Sequence, residues 1–134
     1  MHPRVILQGV IYQGGAAEGM DICKSPERIA DLRLKAVITV AHDVRIQVPA
    51  TLVHLHLPVD EVNPTPDQYF DLVCNLNVYP VYIHCMAGAN RSRVFAAAIA
   101  WKVFKVPIET AISLADPPPS GIVYDSMMKW VRSK

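Results

Sequence analysis

The chain has 134 residues, of which 51% are hydrophobic and 19% charged, and its formal net charge is +1. That length fits a single domain over residues 1–134, with core material enough to exclude general disorder. The small charge gives no bulk pull toward nucleic acid or a membrane, and no run of about 18 apolar residues is present to span a bilayer.

In chain order, Met1-His2-Pro3-Arg4 lacks the apolar stretch of a signal peptide. Arg4 to Leu7 and Val10 to Tyr12 read as short strands around Gln8-Gly9, closed by Gly14-Gly15. Ser25-Pro26 predicts a helix start, with Ser25 as cap and Pro26 at the first helical position, and Ile29 and Leu32 supply its apolar stripe. Ala36 to Val40 is a buried-strand run and His42 to Val48 a loop. Leu52 to Leu57 alternates, with Val53, Leu55 and Leu57 on one face and His54 and His56 on the other. Pro58 to Pro64 is a turn-rich loop. Thr65-Pro66-Asp67-Gln68 has the form of a capping box and predicts a helix through about Asn77.

Val81 to His84 is another strand. Ser92 to Phe104 reads as a helix that is apolar nearly all round, with Trp101 and Phe104 at core positions, and belongs in the middle of a domain. Pro107 to Ala115 and Tyr124 to Val131 are further helices, parted by the loop Pro117-Pro118-Pro119-Ser120-Gly121. Alternating strands and helices predict an α/β fold: a central, mainly parallel sheet of about four to five strands flanked by helices. Ligands of such sheets bind beyond the carboxyl ends of the strands, where Cys85 falls.

His84-Cys85-Met86-Ala87-Gly88-Ala89-Asn90-Arg91-Ser92 carries the chemistry. An ordinary thiol has a pKa of about 8.5, but at a helix N-terminus beside an arginine it drops to roughly 3.5–7.5, so Cys85 can be a thiolate nucleophile. Met86, Ala87, Gly88, Ala89, Asn90 and Arg91 can turn their main-chain N–H groups toward one point, forming a nest for a tetrahedral dianion. The Arg91 guanidinium can grip two phosphate oxygens at once. Ser92 can donate to the sulfur and help it leave, and His84 orients the loop from behind. The bland alternative is a packed, inert Cys85 with Arg91 on a solvated helix start. Four further residues at fixed spacing, between a strand and a helix, argue against it.

That spacing resembles the signature of the cysteine-based protein tyrosine phosphatases, in particular the small dual-specificity type. Gly9-Val10-Ile11-Tyr12-Gln13-Gly14-Gly15 and Leu34-Lys35-Ala36-Val37-Ile38-Thr39-Val40 are similar to that family's opening strand and to the strand after its first helix. The resemblance implies a phosphatase-like fold and a two-step hydrolysis of phosphate monoesters through a phosphocysteine. It implies no metal or other cofactor. A phosphorylated protein or peptide is the expected substrate, with nucleotide or RNA 5′-phosphates and simple lipids left open, and the small charge predicts no nucleic-acid or membrane partner. A single carboxyl group can protonate the leaving oxygen and then activate water. The family's acid stands some nine residues before an aromatic pair, which selects Asp60 ahead of Tyr69-Phe70 over Glu61, with Asp67 serving the helix start.

The chain is short for this family, so a shallow pocket open to phosphoserine and phosphothreonine as well as phosphotyrosine is expected. The family's asparagine near the C-terminus is missing, and Ser120 is its candidate replacement. Uncharged loop positions argue against highly phosphorylated inositol lipids. Competing readings are an inactive phospho-residue binding module and a rhodanese-type sulfurtransferase. Three cysteines without a C-x-x-C pair fit neither a disulfide framework nor structural zinc, so a reduced cytoplasmic setting is expected. Cys23 and Cys74 read as buried fillers, with a redox partnership between Cys74 and Cys85 left open. His54 and His56 read as a packed pair without a third metal ligand.

Overall fold

Short apolar strands and the helices between them assemble into one five-stranded sheet in a computed structural model that describes residues 3–134. Met1 and His2, half of the N-terminal segment read above, lie outside the described residues. The strands are β1 (Arg4–Leu7), β2 (Ile11–Gly14), β3 (Ala36–Val40), β4 (Val53–Leu57) and β5 (Val81–His84). Their spatial order is β1-β2-β5-β3-β4; β1 and β2 pair antiparallel and the rest are parallel. The expected α/β class and mainly parallel sheet are therefore correct.

The helices are α1 (Ala16–Cys23), α2 (Pro26–Leu32), α3 (Asp67–Asn75), α4 (Arg91–Lys102), α5 (Ile108–Ser113) and α6 (Ile122–Arg132). None is long and apolar enough to cross a membrane, among the described residues. Strand side chains alternate between two cores. Val81 and Ile83 join a cluster with Phe70, Phe95 and Trp130 from the α3, α4 and α6 side, while Tyr82 joins Ile22, Leu34 and Ile46 on the α1 side. Helix α4 is buried from Arg91 through Ala100, which explains its apolar circumference. Phe70 stacks on Phe95 and on Trp130 at centroid distances of 4.7 and 5.2 Å. Each such aromatic adds about 0.5–1.5 kcal/mol beyond its area. Trp130, unassigned from sequence, is thus a core residue, with its indole N–H on Asp71 at 3.0 Å.

Ser25 caps α2 as expected, accepting the Arg28 N–H at 3.2 Å. Elsewhere the local signals misled. Helix α1 was not anticipated: it has eight residues, Gly19 in its middle and no side-chain cap on Gly15. Gly19 sits in close quarters, since a Cβ there would meet Tyr82 at 3.0 Å. The capping box does not form. Helix α3 begins at Asp67 with Pro66 as N-cap, and the Thr65 hydroxyl is buried without a partner. The same helix stops at Asn75, and Asn77 takes a left-handed φ of 54°. Helix α4 ends at Lys102, so Phe104 is no core position; it is 37% exposed and lies edge-on to Tyr79. Val53 is also exposed, because β4 is the sheet edge.

Candidate active site

Strand β5 sits between β2 and β3, and its last residue, His84, is level with Gly14 and Thr39. That row delivers the next residue, Cys85, to the carboxyl edge of the sheet and the N-terminus of α4. Cys85 is only 2% exposed, and its sulfur lies 3.3 Å from the Ser92 hydroxyl. Burial alone would raise the thiol pKa. The Ser92 hydroxyl, the main-chain N–H groups of Ser92 and Gly88 and the Arg91 charge outweigh burial and hold it below its ordinary value. Cys85, Ser92 and Arg91 are therefore brought together.

The loop between Cys85 and Arg91 is gripped from outside. Gly88 has φ 73°, and a Cβ there would come within 2.6 Å of the Gly14 carbonyl carbon. The Ala16 N–H, at the start of the unanticipated α1, donates to the Met86 carbonyl at 2.8 Å. Gln13 is fully buried, and its amide nitrogen donates to the Gly88 carbonyl at 2.9 Å and to the Ser92 hydroxyl at 2.7 Å. Arg4 donates to the Gln13 amide oxygen at 2.5 Å, which settles the orientation of that amide. Because Ser92 accepts from Gln13, its single proton is left for the Cys85 sulfur or for the Gly14 carbonyl at 3.4 Å. Sequence reasoning missed Gln13 as a site residue. The available signal was a lone amide in the apolar strand Ile11-Tyr12-Gln13.

His84 lies behind the loop as expected. Its Nδ1–H donates to the Cys85 carbonyl at 3.0 Å, so its Nε2 accepts the Thr39 hydroxyl proton at 2.8 Å. Thr39 must then accept from His54 Nε2 at 2.9 Å. Burial pushes His84 down to about 4, so the ring is neutral. His54 and His56 stack at 6.2 Å, and His56 donates to the Ala41 carbonyl. Both act as hydrogen-bonding groups. Cys74 donates to the Ala98 carbonyl, and burial pushes its thiol up to about 12, which makes it inert.

Ser120 does not replace an asparagine side chain. The Asn90 amide instead reaches across and pairs with the Ser120 main chain, donating to its carbonyl at 2.7 Å and accepting its N–H at 2.9 Å. Arg93 adds a bond to the Pro117 carbonyl at 2.8 Å.

Arg91 is 7% exposed and points toward carboxylates. Asp43 holds it with two oxygens at 3.0 and 3.3 Å, Glu61 approaches to 3.2 Å, and the Val59 carbonyl accepts at 3.0 Å. This bond to Arg91 holds the Asp43 carboxyl below its usual value. Asp43 was read only as loop, and no local pattern marks it. Asp60, the expected acid, lies between Val59 and Glu61, yet its carboxylate turns to the Val62 N–H at 2.8 Å and the Asn63 amide at 2.5 Å. Those two bonds lower its pKa. The structure brings Glu61 and Asp43 onto Arg91 but leaves Asp60 tied within its own loop. His42, Asp43 and Glu61 could together reach a metal ion, though exposed acidic groups often cluster without one.

No protein-family model matches the chain, and no curated protein matches it in sequence. Solved structures do. A human tyrosine phosphatase-like serine/threonine/tyrosine-interacting protein superposes with a TM-score of 0.79 at 15% identity, covering 98% of this chain and 97% of that one. Human DUSP28 gives 0.78 at 11% identity, with coverages of 96% and 91%. The Orf virus tyrosine phosphatase OH1 gives 0.70 at 14% identity, with coverages of 98% and 84%. The chain has the fold of the small dual-specificity phosphatases.

Proposed function

We propose that this protein is a cysteine-dependent phosphatase that hydrolyses phosphate monoesters, phosphotyrosine together with phosphoserine and phosphothreonine. The observation that carries the reading is the buried Cys85 sulfur, 3.3 Å from Ser92, in a loop that ends on a buried arginine at a helix start. The Cys85 thiolate attacks phosphorus; the S–P bond forms as the ester O–P bond breaks. The main-chain N–H groups of Met86 to Arg91 and the Arg91 guanidinium receive the charge on the phosphoryl oxygens. Asp60 gives its proton to the departing oxygen, then takes one from the water that splits the phosphocysteine. Ser92 donates to the sulfur as it leaves. Asp60 is supported by its neighbours: Val59 and Glu61 both bind Arg91, which holds the segment at the mouth of the site. The exposed, short rim of Met86, Ala87 and Ala89 supports a shallow site that admits all three phosphoresidues. Phosphorylated protein in the cytoplasm fits three buried, unpaired thiols.

A second reading is favoured by the carboxylates on Arg91: a module that captures phosphoresidues without turnover, as one neighbour's description as an interacting protein suggests. One assay separates the two. The wild-type protein should hydrolyse p-nitrophenyl phosphate with or without EDTA and be inhibited by vanadate. Cys85→Ser should lose about a millionfold in turnover yet keep phosphate binding. A protein that binds phosphotyrosine peptide but hydrolyses no aryl phosphate is the capture module. Thiosulfate:cyanide transfer without phosphatase activity would make it a sulfurtransferase.

A further inference from the structure

Thr39 lies between two imidazoles. It is fully buried, and its hydroxyl is 2.8 Å from Nε2 of His84 on β5 and 2.9 Å from Nε2 of His54 on β4. A hydroxyl has one proton, so the two rings cannot be assigned independently. The Cys85 carbonyl accepts from His84 Nδ1–H at 3.0 Å, and that fixes the whole series. His84 Nε2 is an acceptor, the Thr39 proton goes to His84, and His54 carries its own proton on Nε2. The sheet register does not impose the outer contact, because His54 is level with Val37 and Thr39 with His56. His54 reaches along the sheet to Thr39, whereas the His56 bond goes to the Ala41 carbonyl at 2.8 Å. Among the described residues, no other side chain donates to the Thr39 oxygen. Three hydrogen bonds thus lead from an exposed residue on the edge strand β4 to the main chain of the buried nucleophile.

We propose that His54 is a positioning residue for Cys85: by donating to Thr39 it commits the Thr39 proton to His84, which fixes the main chain at the nucleophile and favours its thiolate. His54 acts through two other residues and touches no reacting atom. This deepens the phosphatase reading and rests on it for any effect on turnover. Hydrogen bonds in series polarise one another. A donor on the Thr39 oxygen strengthens its O–H bond to His84, and that strengthens the Nδ1–H bond to the Cys85 carbonyl. The carbonyl oxygen carries partial negative charge near the sulfur of its own residue, and a donor on it offsets that charge. The titratable groups around the series are His56 beside His54 on β4, Tyr82 stacked on His84 at 5.8 Å with Glu18 of α1 behind it, and Arg91 and Arg93 of α4, which act on Cys85. Desolvation and the neighbouring His56 hold His54 below its ordinary value, so near neutral pH its ring is uncharged and has the single N–H that the series requires.

The test follows alkylation of Cys85 by iodoacetamide against pH, read by mass spectrometry of the Cys85 peptide so that Cys23 and Cys74 do not interfere. His54→Phe keeps a ring on the strand but has no donor. Its Cys85 limb should move up by about half a pH unit, a loss of about threefold in thiolate at a fixed acidic pH and a fraction of one hydrogen bond. His54→Gln, whose amide N–H donates from a comparable reach, should restore the limb. In a Thr39→Val background, His54→Phe should add nothing, because the series is already cut. The His84 Nδ1–H proton resonance should move upfield in His54→Phe and return in His54→Gln. His56→Phe should leave the limb in place. An unmoved limb in His54→Phe overturns the inference, as does an additive effect in the Thr39→Val background. An equal shift in His56→Phe also overturns it, since the cause would then be the charge of the histidine pair. Turnover of p-nitrophenyl phosphate by the wild type reads the phosphatase function separately. An inactive protein whose Cys85 limb still answers to His54 loses the phosphatase reading and keeps the positioning role.

Discussion

Behind the Cys85 loop the contacts are buried: Gln13, Gly14, the Ala16 N–H and His84 hold carbonyls and the Ser92 hydroxyl from several elements. In front of it stand carboxylates, Asp43, Asp60 and Glu61, on loops open to water. The two sides differ in what it costs to break them. Leaving a buried polar group unpaired costs about 1–3 kcal/mol, whereas in front the Asp43 and Glu61 carboxylates are 36% and 52% exposed, so water can take the place of Arg91 as their partner. The rear of the loop is therefore fixed before substrate arrives, while the front is arranged to be displaced by it. A phosphate dianion must take Arg91 from Asp43 and Glu61.

The largest effect that would sharpen this contrast comes from the front. Asp60→Asn should reduce turnover of an alkyl phosphate by about a hundred- to a thousandfold, and that of p-nitrophenyl phosphate far less, because its phenolate needs little protonation. In the resting state Asp60 sits below its ordinary pKa through Val62 and Asn63, so it must leave those bonds to carry a proton. Should Glu61→Gln show this leaving-group pattern and Asp60→Asn not, Glu61 is the acid and the front is already in its working arrangement.

Next comes the rear, read through acid stability. His84 is neutral, with a folded pKa of about 4 against an ordinary value of 6.5. Between those values the unfolded chain binds the extra proton, so stability is complete above about pH 6.5 and declines as pH falls toward 4. The loss should be about 3 kcal/mol at most, and denaturant titration across that range measures it. His84→Gln should flatten the slope. An unchanged slope would place the acid sensitivity elsewhere.

The contrast between the two sides also explains what was legible in the sequence. Cys85 through Ser92 could be read because the chemistry needs those groups at consecutive positions between a strand and a helix. Gln13 could not, since its partner Ser92 is 79 residues away. Nor could Asp43, which meets Arg91 across 48 residues from a loop without periodicity. Helix α1 was hidden because Gly19, which weakens any helix signal, sits where a larger residue would crowd Tyr82. The inner strands β2, β3 and β5 were legible because they are buried over nearly their full length, while β1 and β4 at the edges bury one residue each. The Thr65 capping box failed because Thr65 is drawn to Ser126 instead, its N–H on that hydroxyl at 3.0 Å. Long-range polar contacts leave no local pattern, and they are what supports the nucleophile.

Gln13→Leu tests that support directly. It removes the donor that orients the Ser92 proton and one of the two side-chain grips on the Gly88 carbonyl. Turnover should drop about tenfold, comparable to losing one hydrogen bond in the site. The informative reading is the pH profile. With Ser92 no longer aimed at the sulfur, the ascending limb set by Cys85 should move up toward the ordinary thiol range. A lower rate with an unmoved limb would mean that Gln13 only fills space.

The smallest effect falls on Asp43, and it bears most directly on how the front works. If Asp43 restrains Arg91 until phosphate arrives, Asp43→Asn should tighten vanadate and phosphate binding by about two- to fivefold, the scale of a partly exposed ion pair. The gain should shrink as salt is added, because screening already weakens the wild-type pair. Arg91 keeps the Asp43 carboxyl ionised well into acid, so the gain should hold across neutral pH. The opposite result, weaker phosphate binding in Asp43→Asn, would show that Asp43 presents Arg91 to the substrate. The front of the site would then be as fixed as its rear.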